Sequence, residues 1–158
     1  MSLELIVGCM YSGKSSELVR RVNRIQSIQK QYIIYNSVLD QRYGSTGIFT
    51  HNHGHLPCHV VDKLIDQVDT EHFECADTIF IDEAQFFTDL YDFVRSSVET
   101  YNKNVVVIGL DGDSDRENFG QIHKLLPLCD DIVKLKALCS QCKDGTPGIF
   151  SKKIINSS

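Results

Sequence analysis

The sequence predicts one α/β domain built on a parallel β-sheet, and three observations lead to this fold class. Four mostly apolar runs, 3-LELIV-7, 32-YIIY-35, 78-TIFI-81 and 104-NVVVIGL-110, are typical of strands buried on both faces. Segments with helical spacing of apolar residues lie between some of these runs. A loop containing two glycines joins the first strand to the first of these helices. Strands that alternate with helices favour a parallel sheet.

The composition is that of an ordinary globular domain. The chain has 158 residues, which is long enough to bury a core without disulfide bonds. Its net charge is -5 and no basic face stands out, so nucleic acid is not an expected partner. No apolar run reaches the length of a membrane span, and the N-terminus lacks the features of a signal peptide. We therefore expect a cytoplasmic protein that does not act at a membrane.

The elements follow in order from these patterns. After the strand at 3–7, residues 16–30 predict a helix because apolar side chains recur at helical spacing. Residues 44–59 are rich in Gly, Ser, Thr and His, which indicates a long loop. Helical spacing returns over 84–100, and a fifth strand is predicted over 132–138. The tail at 143–158 shows only weak periodicity.

The segment 8-GCMYSGKS-15 has the spacing of a phosphate-binding loop. Gly8 and Gly13 let the backbone curl so that several N–H groups point at one anion, and the following helix adds its positive end. Lys14 is placed to contact the outer phosphates and Ser15 to bind Mg²⁺. The alternative is a glycine turn that opens a helix, with solvated Lys14 and Ser15. The strand–loop–helix context favours phosphate binding.

An acidic pair follows the strand in 78-TIFIDEAQFF-87. Asp82 stands at the strand end, where it can hold Mg²⁺ directly or through water. Glu83 can orient a water molecule in an ATPase or accept the proton of a hydroxyl group in a kinase. The alternative is that the two carboxylates only stabilise a helix N-terminus. The phosphate loop elsewhere in the chain favours the catalytic interpretation.

Six separated motifs resemble thymidine kinases of the cytosolic, zinc-containing type. They are GCMYSGKSSELVRRV, VLDQRYG, FTHN, FIDEAQFF, GLDGDSDRENFG and VKLKALCSQC, and they occur in the expected order over residues 3 to about 153. The resemblance implies a RecA-like phosphate-loop domain with helices flanking the sheet over residues 1–138. It also implies that a zinc-binding lasso subdomain begins in residues 139–158 and is incomplete.

The resemblance implies transfer of the γ-phosphate of ATP to the 5′-hydroxyl of thymidine, or of deoxyuridine. Glu83 would be the general base, Lys14 would stabilise the transferred group, and Ser15 with Asp82 would bind Mg²⁺. A larger set would bind ATP or its phosphates, namely Gly8, Cys9, Met10, Tyr11, Ser12, Gly13, Lys14, Ser15, Asp40, Arg42, Asp82 and Gln85.

The resemblance also implies a nucleoside pocket formed by Met10, Phe86, Leu110, Ser114 and Phe119. Ser114 departs from the family, which usually has an aromatic residue there, so the nucleoside preference is left open. The alternatives are that Met10, Phe86 and Leu110 are core residues and that Arg42 lies on the surface. His51 matches a family histidine. The histidines of 51–59 are interpreted as surface residues rather than as a metal site.

Cys139 and Cys142 form a C-x-x-C pair, which is half of a tetrahedral zinc site. In the resembling family, two further ligands follow after the lasso loop. The sequence stops at Ser158 before any such pair. We expect that the sequence is part of a longer protein. The other possibility is a real loss of the segment, which would place zinc binding and thymidine specificity in doubt.

Two other functions compete with nucleoside phosphorylation. The first is a RecA-like ATPase or switch that uses water as the acceptor, in which Glu83 would serve equally well. The second is a weakened, non-catalytic subunit, suggested by Ser114 and the missing lasso. The predicted nucleoside residues and the retained Lys14, Asp82 and Glu83 argue against them. The resemblance further implies a homotetramer.

Overall fold

The computed structural model describes residues 1–8, 13–38, 47–50, 54–110, 120–135, 137–138 and 147–148. The helices are α1 (Lys14–Ser27), α2 (Glu71–Cys75) and α3 (Leu90–Glu99), with 3₁₀ turns at Ile65–Gln67, Ala84–Phe86 and Ile122–Leu128. The strands are β1 (Ser2–Gly8), β2 (Tyr32–Ser37), β3 (Gly47–Thr50), β4 (Gly54–Pro57), β5 (His59–Val61), β6 (Thr78–Ile81), β7 (Asn104–Leu110), β8 (Asp131–Leu135), β9 (Ala137–Leu138) and β10 (Pro147–Gly148).

Six strands form one parallel sheet in the order β5-β2-β6-β7-β1-β8. The predicted α/β fold with a parallel sheet is therefore confirmed. The register places Leu5 of β1, Val107 of β7, Ile81 of β6 and Tyr35 of β2 side by side. All six strands consequently end at the same edge of the sheet, and the predicted functional motifs follow these ends.

The sheet is buried on both faces, as the apolar strand runs predict. Alternate residues of one strand enter different clusters, because successive side chains point to opposite faces. In β1, Leu5 packs in the cluster that contains Phe93 of α3, whereas Ile6 packs with Leu18 and Val22 of α1. The helices thus cover the two faces of the sheet and hold the strand ends in fixed positions.

The first helix agrees with its predicted pattern. α1 begins at Lys14, and its buried residues Leu18, Val19 and Val22 are among those that predict the helix. On its partly exposed side, Arg21 forms ion pairs with Glu17 one turn earlier and with Glu4 of β1. These ion pairs tie α1 to the strand that precedes it.

Three predicted boundaries are wrong. Residues 84–100 are not one helix, because a 3₁₀ turn at Ala84–Phe86 is followed by extended backbone at Phe87 and α3 begins only at Leu90. Phe87 is 1% exposed, so burial of this side chain imitates helical spacing. The predicted loop 44–59 contains the β3–β4 hairpin and the start of β5. The strand predicted over 132–138 ends at Leu135, and β9 pairs antiparallel with β10 in a separate sheet.

None of the helices in the described ranges has the length and apolar character needed to cross a bilayer.

Candidate functional site

The predicted phosphate loop and the predicted acidic pair lie at the same edge of the sheet. The loop follows β1 at Gly8, and Asp82 follows β6 at Ile81, with β7 between the two strands. Because Ile81 is level with Val107 and Leu5, Asp82 is level with Ile6 of β1. Asp82 and Ile6 are therefore two strand spacings apart across the sheet, which is about 10 Å. The two motifs therefore leave the sheet from strands that are separated only by β7.

The described part of the phosphate loop has the backbone that its glycines predict. Gly13 lies in the left-handed region with φ 91°, immediately before α1. A Cβ atom there would meet nothing within 4 Å, so the glycine is required by backbone conformation and not by lack of space. The half-buried Lys14 donates from Nζ to the carbonyl oxygen of Gly8 at 3.3 Å. This contact holds the ammonium group at the start of the loop.

The acidic pair occupies a tight and almost completely buried turn. Asp82 is 3% exposed and Glu83 7% exposed. The Asp82 N–H donates to the carbonyl oxygen of Tyr35 at 2.9 Å, and the Glu83 N–H donates to Oδ1 of Asp82 at 3.0 Å. Glu83 has φ 50° and ψ 45°, a left-handed conformation that is uncommon for a residue other than glycine. Such strained residues often lie at functional sites, where the surrounding structure holds them in place.

The side chain of Gln85 connects this turn to the neighbouring strand. Its Nε2 donates to Oε2 of Glu83 at 2.6 Å, and its Oε1 accepts from the Leu110 N–H at 3.1 Å. Two glycines make room for it. A Cβ at Gly109 would meet Oε1 of Gln85 at 2.5 Å, and one at Gly120 would meet the Gln85 carbonyl oxygen at 2.3 Å. Gln85 is therefore enclosed by residues on both sides of 111–119.

Gln85 is among the residues predicted to bind ATP, whereas neither glycine is among the predicted site residues. Gly109 does leave a signal, because an isolated glycine inside the run 104-NVVVIGL-110 indicates close approach of another group. Gly120 has φ 72°, and nothing in the sequence indicates which residue lies against it.

Two predicted nucleoside-binding residues are described, and they lie at this edge. Phe86 is half-buried beside the acidic turn, whereas the next residue, Phe87, is completely buried. Leu110 is half-buried at the end of β7. Partial exposure at the strand ends leaves both side chains accessible to a ligand, although their proposed roles stay predictions.

The other predicted site residues lie outside the described residues, and nothing is stated about their placement. They are Cys9, Met10, Tyr11, Ser12, Asp40, Arg42, His51, Ser114, Phe119, Cys139 and Cys142. Within the part of the chain that is described, no group of three or more His, Cys, Asp or Glu side chains is arranged to hold a metal ion.

Two histidines form a separate pair at the far side of the sheet. His59 of β5 stacks on His72 of α2 with ring centroids 4.3 Å apart. Burial, together with the charge that His72 can carry, lowers the pKa of His59. The pair lines a cavity of about 250 Å³ with Cys75 and Pro57, away from the acidic turn.

The chain is similar to one protein family and to several known proteins. The family profile described as "Thymidine kinase" matches residues 1–158. "Thymidine kinase" of Monkeypox virus is 39% identical over 153 residues, which cover 96% of the chain and 82% of the viral protein. "Thymidine kinase, cytosolic" of Gallus gallus is 40% identical over 140 residues, covering 89% of the chain and 61% of the relative. "Thymidine kinase" of Oryza sativa subsp. japonica is 39% identical over 144 residues, covering 89% of the chain and 53% of the relative. The chain thus spans little more than half the length of the plant and bird relatives.

Proposed function

The chain belongs to the thymidine kinase family, and from this premise we propose that it transfers the γ-phosphate of ATP to the 5′-hydroxyl of thymidine or deoxyuridine. The product is the nucleoside monophosphate, as in nucleotide salvage. The proposal rests on one observation. Lys14 and the buried Asp82–Glu83 turn lie at the same edge of the sheet, and only β7 separates the two strands that lead to them. A cation for phosphate and a carboxylate for a hydroxyl proton are the two groups that this transfer needs.

Each residue has a role that follows from its position. Lys14, held at the carbonyl oxygen of Gly8, attracts the outer phosphates of ATP and stabilises the charge on the transferred group. Glu83 accepts the proton of the 5′-hydroxyl as that oxygen attacks phosphorus. Its bond to Gln85 and its left-handed backbone keep the carboxylate in one place. Such fixed positioning supplies most of the catalysis in phosphoryl transfer.

The donor groups at this edge suit Mg²⁺. Asp82 is a buried carboxylate at the end of β6, and Ser15 offers a hydroxyl in the first turn of α1. Oxygen ligands of this kind are the ones that Mg²⁺ prefers. When bound, Mg²⁺ neutralises charge on the phosphate oxygens of ATP. We assign Asp82 and Ser15 to hold it.

The remaining assignments rest on the family resemblance. Phe86 and Leu110, with Met10, Ser114 and Phe119, are proposed to bind the nucleoside. Zinc is proposed at Cys139 and Cys142, with further ligands outside this sequence. A cytoplasmic location and a homotetramer are proposed on the same basis, with no role for nucleic acid or membrane.

A panel of nucleosides tests the reaction. The protein is incubated with ATP, Mg²⁺ and thymidine, deoxyuridine, deoxycytidine or deoxyadenosine, and the monophosphate is separated by chromatography. We expect product with the first two nucleosides. Lys14→Met should remove most of the activity, whereas Gln26→Met, on the exposed face of α1, should not. Release of phosphate at the same rate without nucleoside would contradict the proposal and indicate an ATPase that uses water.

A further inference from the structure

The amide of Gln85 has one orientation that satisfies both of its partners. The Leu110 N–H can only donate, so the atom 3.1 Å from it must be the amide oxygen. The amide nitrogen is then directed at Oε2 of Glu83, 2.6 Å away. Gln85 is 5% exposed, so water does not readily replace either bond. The carboxylate of Glu83 is consequently held relative to the main chain of β7.

The main chain of Gln85 is restrained by a second close contact. A side chain at Gly120 would overlap the carbonyl oxygen, carbonyl carbon and Cα of Gln85, at 2.3, 2.9 and 2.9 Å. The chain therefore leaves β7 at the residue bonded to the Gln85 side chain and returns against the Gln85 main chain. Gln85 is fixed at both the side chain and the backbone.

We infer that Gln85 is a positioning residue for the proton acceptor, holding the Glu83 carboxylate at a set distance from the end of β7. The inference rests on the proposed function, because it takes Glu83 to be the base. It gives Gln85 a task that contact with ATP would not require. The amide nitrogen donates to the carboxylate, while the amide oxygen anchors the side chain to Leu110.

A neighbouring glutamine provides a matched control. Gln121 also joins two parts of the chain, since its Oε1 accepts from the Tyr91 N–H at 2.9 Å and its Nε2 donates to the carbonyl oxygen of Thr88. Neither of these bonds involves Glu83. Gln121→Met removes a similar pair of tertiary hydrogen bonds. Its kcat therefore shows how much the loss of such bonds alone slows the reaction.

The test compares Gln85→Met, Gln85→Glu and Gln121→Met by the pH dependence of kcat, with KM for ATP and the thermal midpoint Tm. Methionine fills similar space but neither donates nor accepts in this way. We expect Gln85→Met to lower kcat on the order of 10–100-fold, because a small misplacement of a reacting group has such effects. KM for ATP should change by less than about threefold. Gln121→Met should keep the parental kcat.

The acidic variant gives a signature that a structural role would not produce. While the introduced carboxyl group is protonated, its carbonyl oxygen can accept from Leu110 and its O–H can donate to Glu83, as the amide does. Loss of that proton replaces the donor by a second negative charge. Gln85→Glu should therefore be active at pH values where Glu83 is ionised and the introduced carboxyl group is still protonated, and lose activity as the pH rises further, with a descending limb that the parent lacks at that pH.

A readout without turnover separates this inference from the proposed function. The Gln85 side-chain amide is buried and donates to Oε2 of Glu83, so ¹H–¹⁵N NMR should find slow exchange of these amide protons with solvent in the parent and faster exchange in Glu83→Ala, which removes the carboxylate. A parental kcat in folded Gln85→Met would overturn the inference, as would unchanged amide exchange in Glu83→Ala or an equal loss of kcat in Gln121→Met. If Gln85→Met does not fold, a Gln85→Glu profile that superposes on the parental one would overturn it. Slow amide exchange that depends on Glu83, in a protein that makes no monophosphate, would support the contact and refute the kinase proposal.

Discussion

Two glycines with similar backbone conformations should respond very differently to alanine. Gly13 and Gly120 both have positive φ, 91° and 72°, so an alanine at either position is strained. The space around them differs. A Cβ at Gly13 would meet nothing within 4 Å, whereas a Cβ at Gly120 would overlap the main chain of Gln85. The pair therefore separates the cost of backbone strain from the cost of collision.

The expected free energies follow from these two contributions. Left-handed backbone costs an L-residue about 1–2 kcal/mol, and this is the whole expected effect of Gly13→Ala. At Gly120 the overlap can be relieved only if the main chain moves, which adds about 1–3 kcal/mol. Gly120→Ala should then lower the free energy of unfolding by roughly 2–5 kcal/mol. It should also displace Gln85, and with it the carboxylate of Glu83.

Urea denaturation of the two variants and the parent measures the difference. The midpoint should fall further for Gly120→Ala than for Gly13→Ala, and equal slopes would show that the comparison is valid. Nucleoside phosphorylation should decrease in Gly120→Ala under conditions where the protein is folded. Equal destabilisation of the two variants would refute the close packing of Gly120 on Gln85.

Three further predictions concern the rest of the fold. Phe93, which is completely buried against the sheet, should cost about 3–5 kcal/mol of stability when replaced by alanine, as measured by the same denaturation. Arg21→Met should cost about 1–3 kcal/mol, because it leaves the partly buried Glu4 without this ion-pair partner; a change below 0.5 kcal/mol would contradict it. NMR titration should place the pKa of His59 below 6.5 and raise it towards that value in His72→Gln. His59 then binds a proton more readily in the unfolded chain than in the folded one, so the free energy of unfolding should fall as the pH drops below about 6.5.

The strands of the central sheet could be predicted because strands that are buried on both faces consist mostly of apolar residues. β1, β6 and β7 are mostly apolar runs, and each lies between neighbours in the sheet. The edge strand β5 was missed, because His59–Val61 is short and partly exposed, so its residues do not show such a run. The helix predicted from residue 84 is wrong at its start, since the buried Ala84 of the 3₁₀ turn and the buried Phe87 after it imitate the helical period.

The candidate site was predictable as far as its strand ends. Gly8 and Asp82 follow apolar runs, and parallel strands bring their carboxyl ends to one edge, so their common location follows from the sequence. The bond from Gln85 to Leu110 and the contact with Gly120 were not predictable. They depend on how distant segments pass each other in space, and such contacts leave no local pattern of apolar residues.

The most direct test of the central claim is the single-turnover rate of thymidine monophosphate formation from radiolabelled ATP, compared between the parent and Glu83→Gln. Glutamine keeps the size of the side chain and removes its basicity. We predict a loss on the order of 10²–10⁴-fold in rate, with ATP affinity retained because Lys14 and the phosphate loop are unchanged. Equal rates for the two proteins would contradict the assignment of Glu83 as the base that accepts the proton of the 5′-hydroxyl.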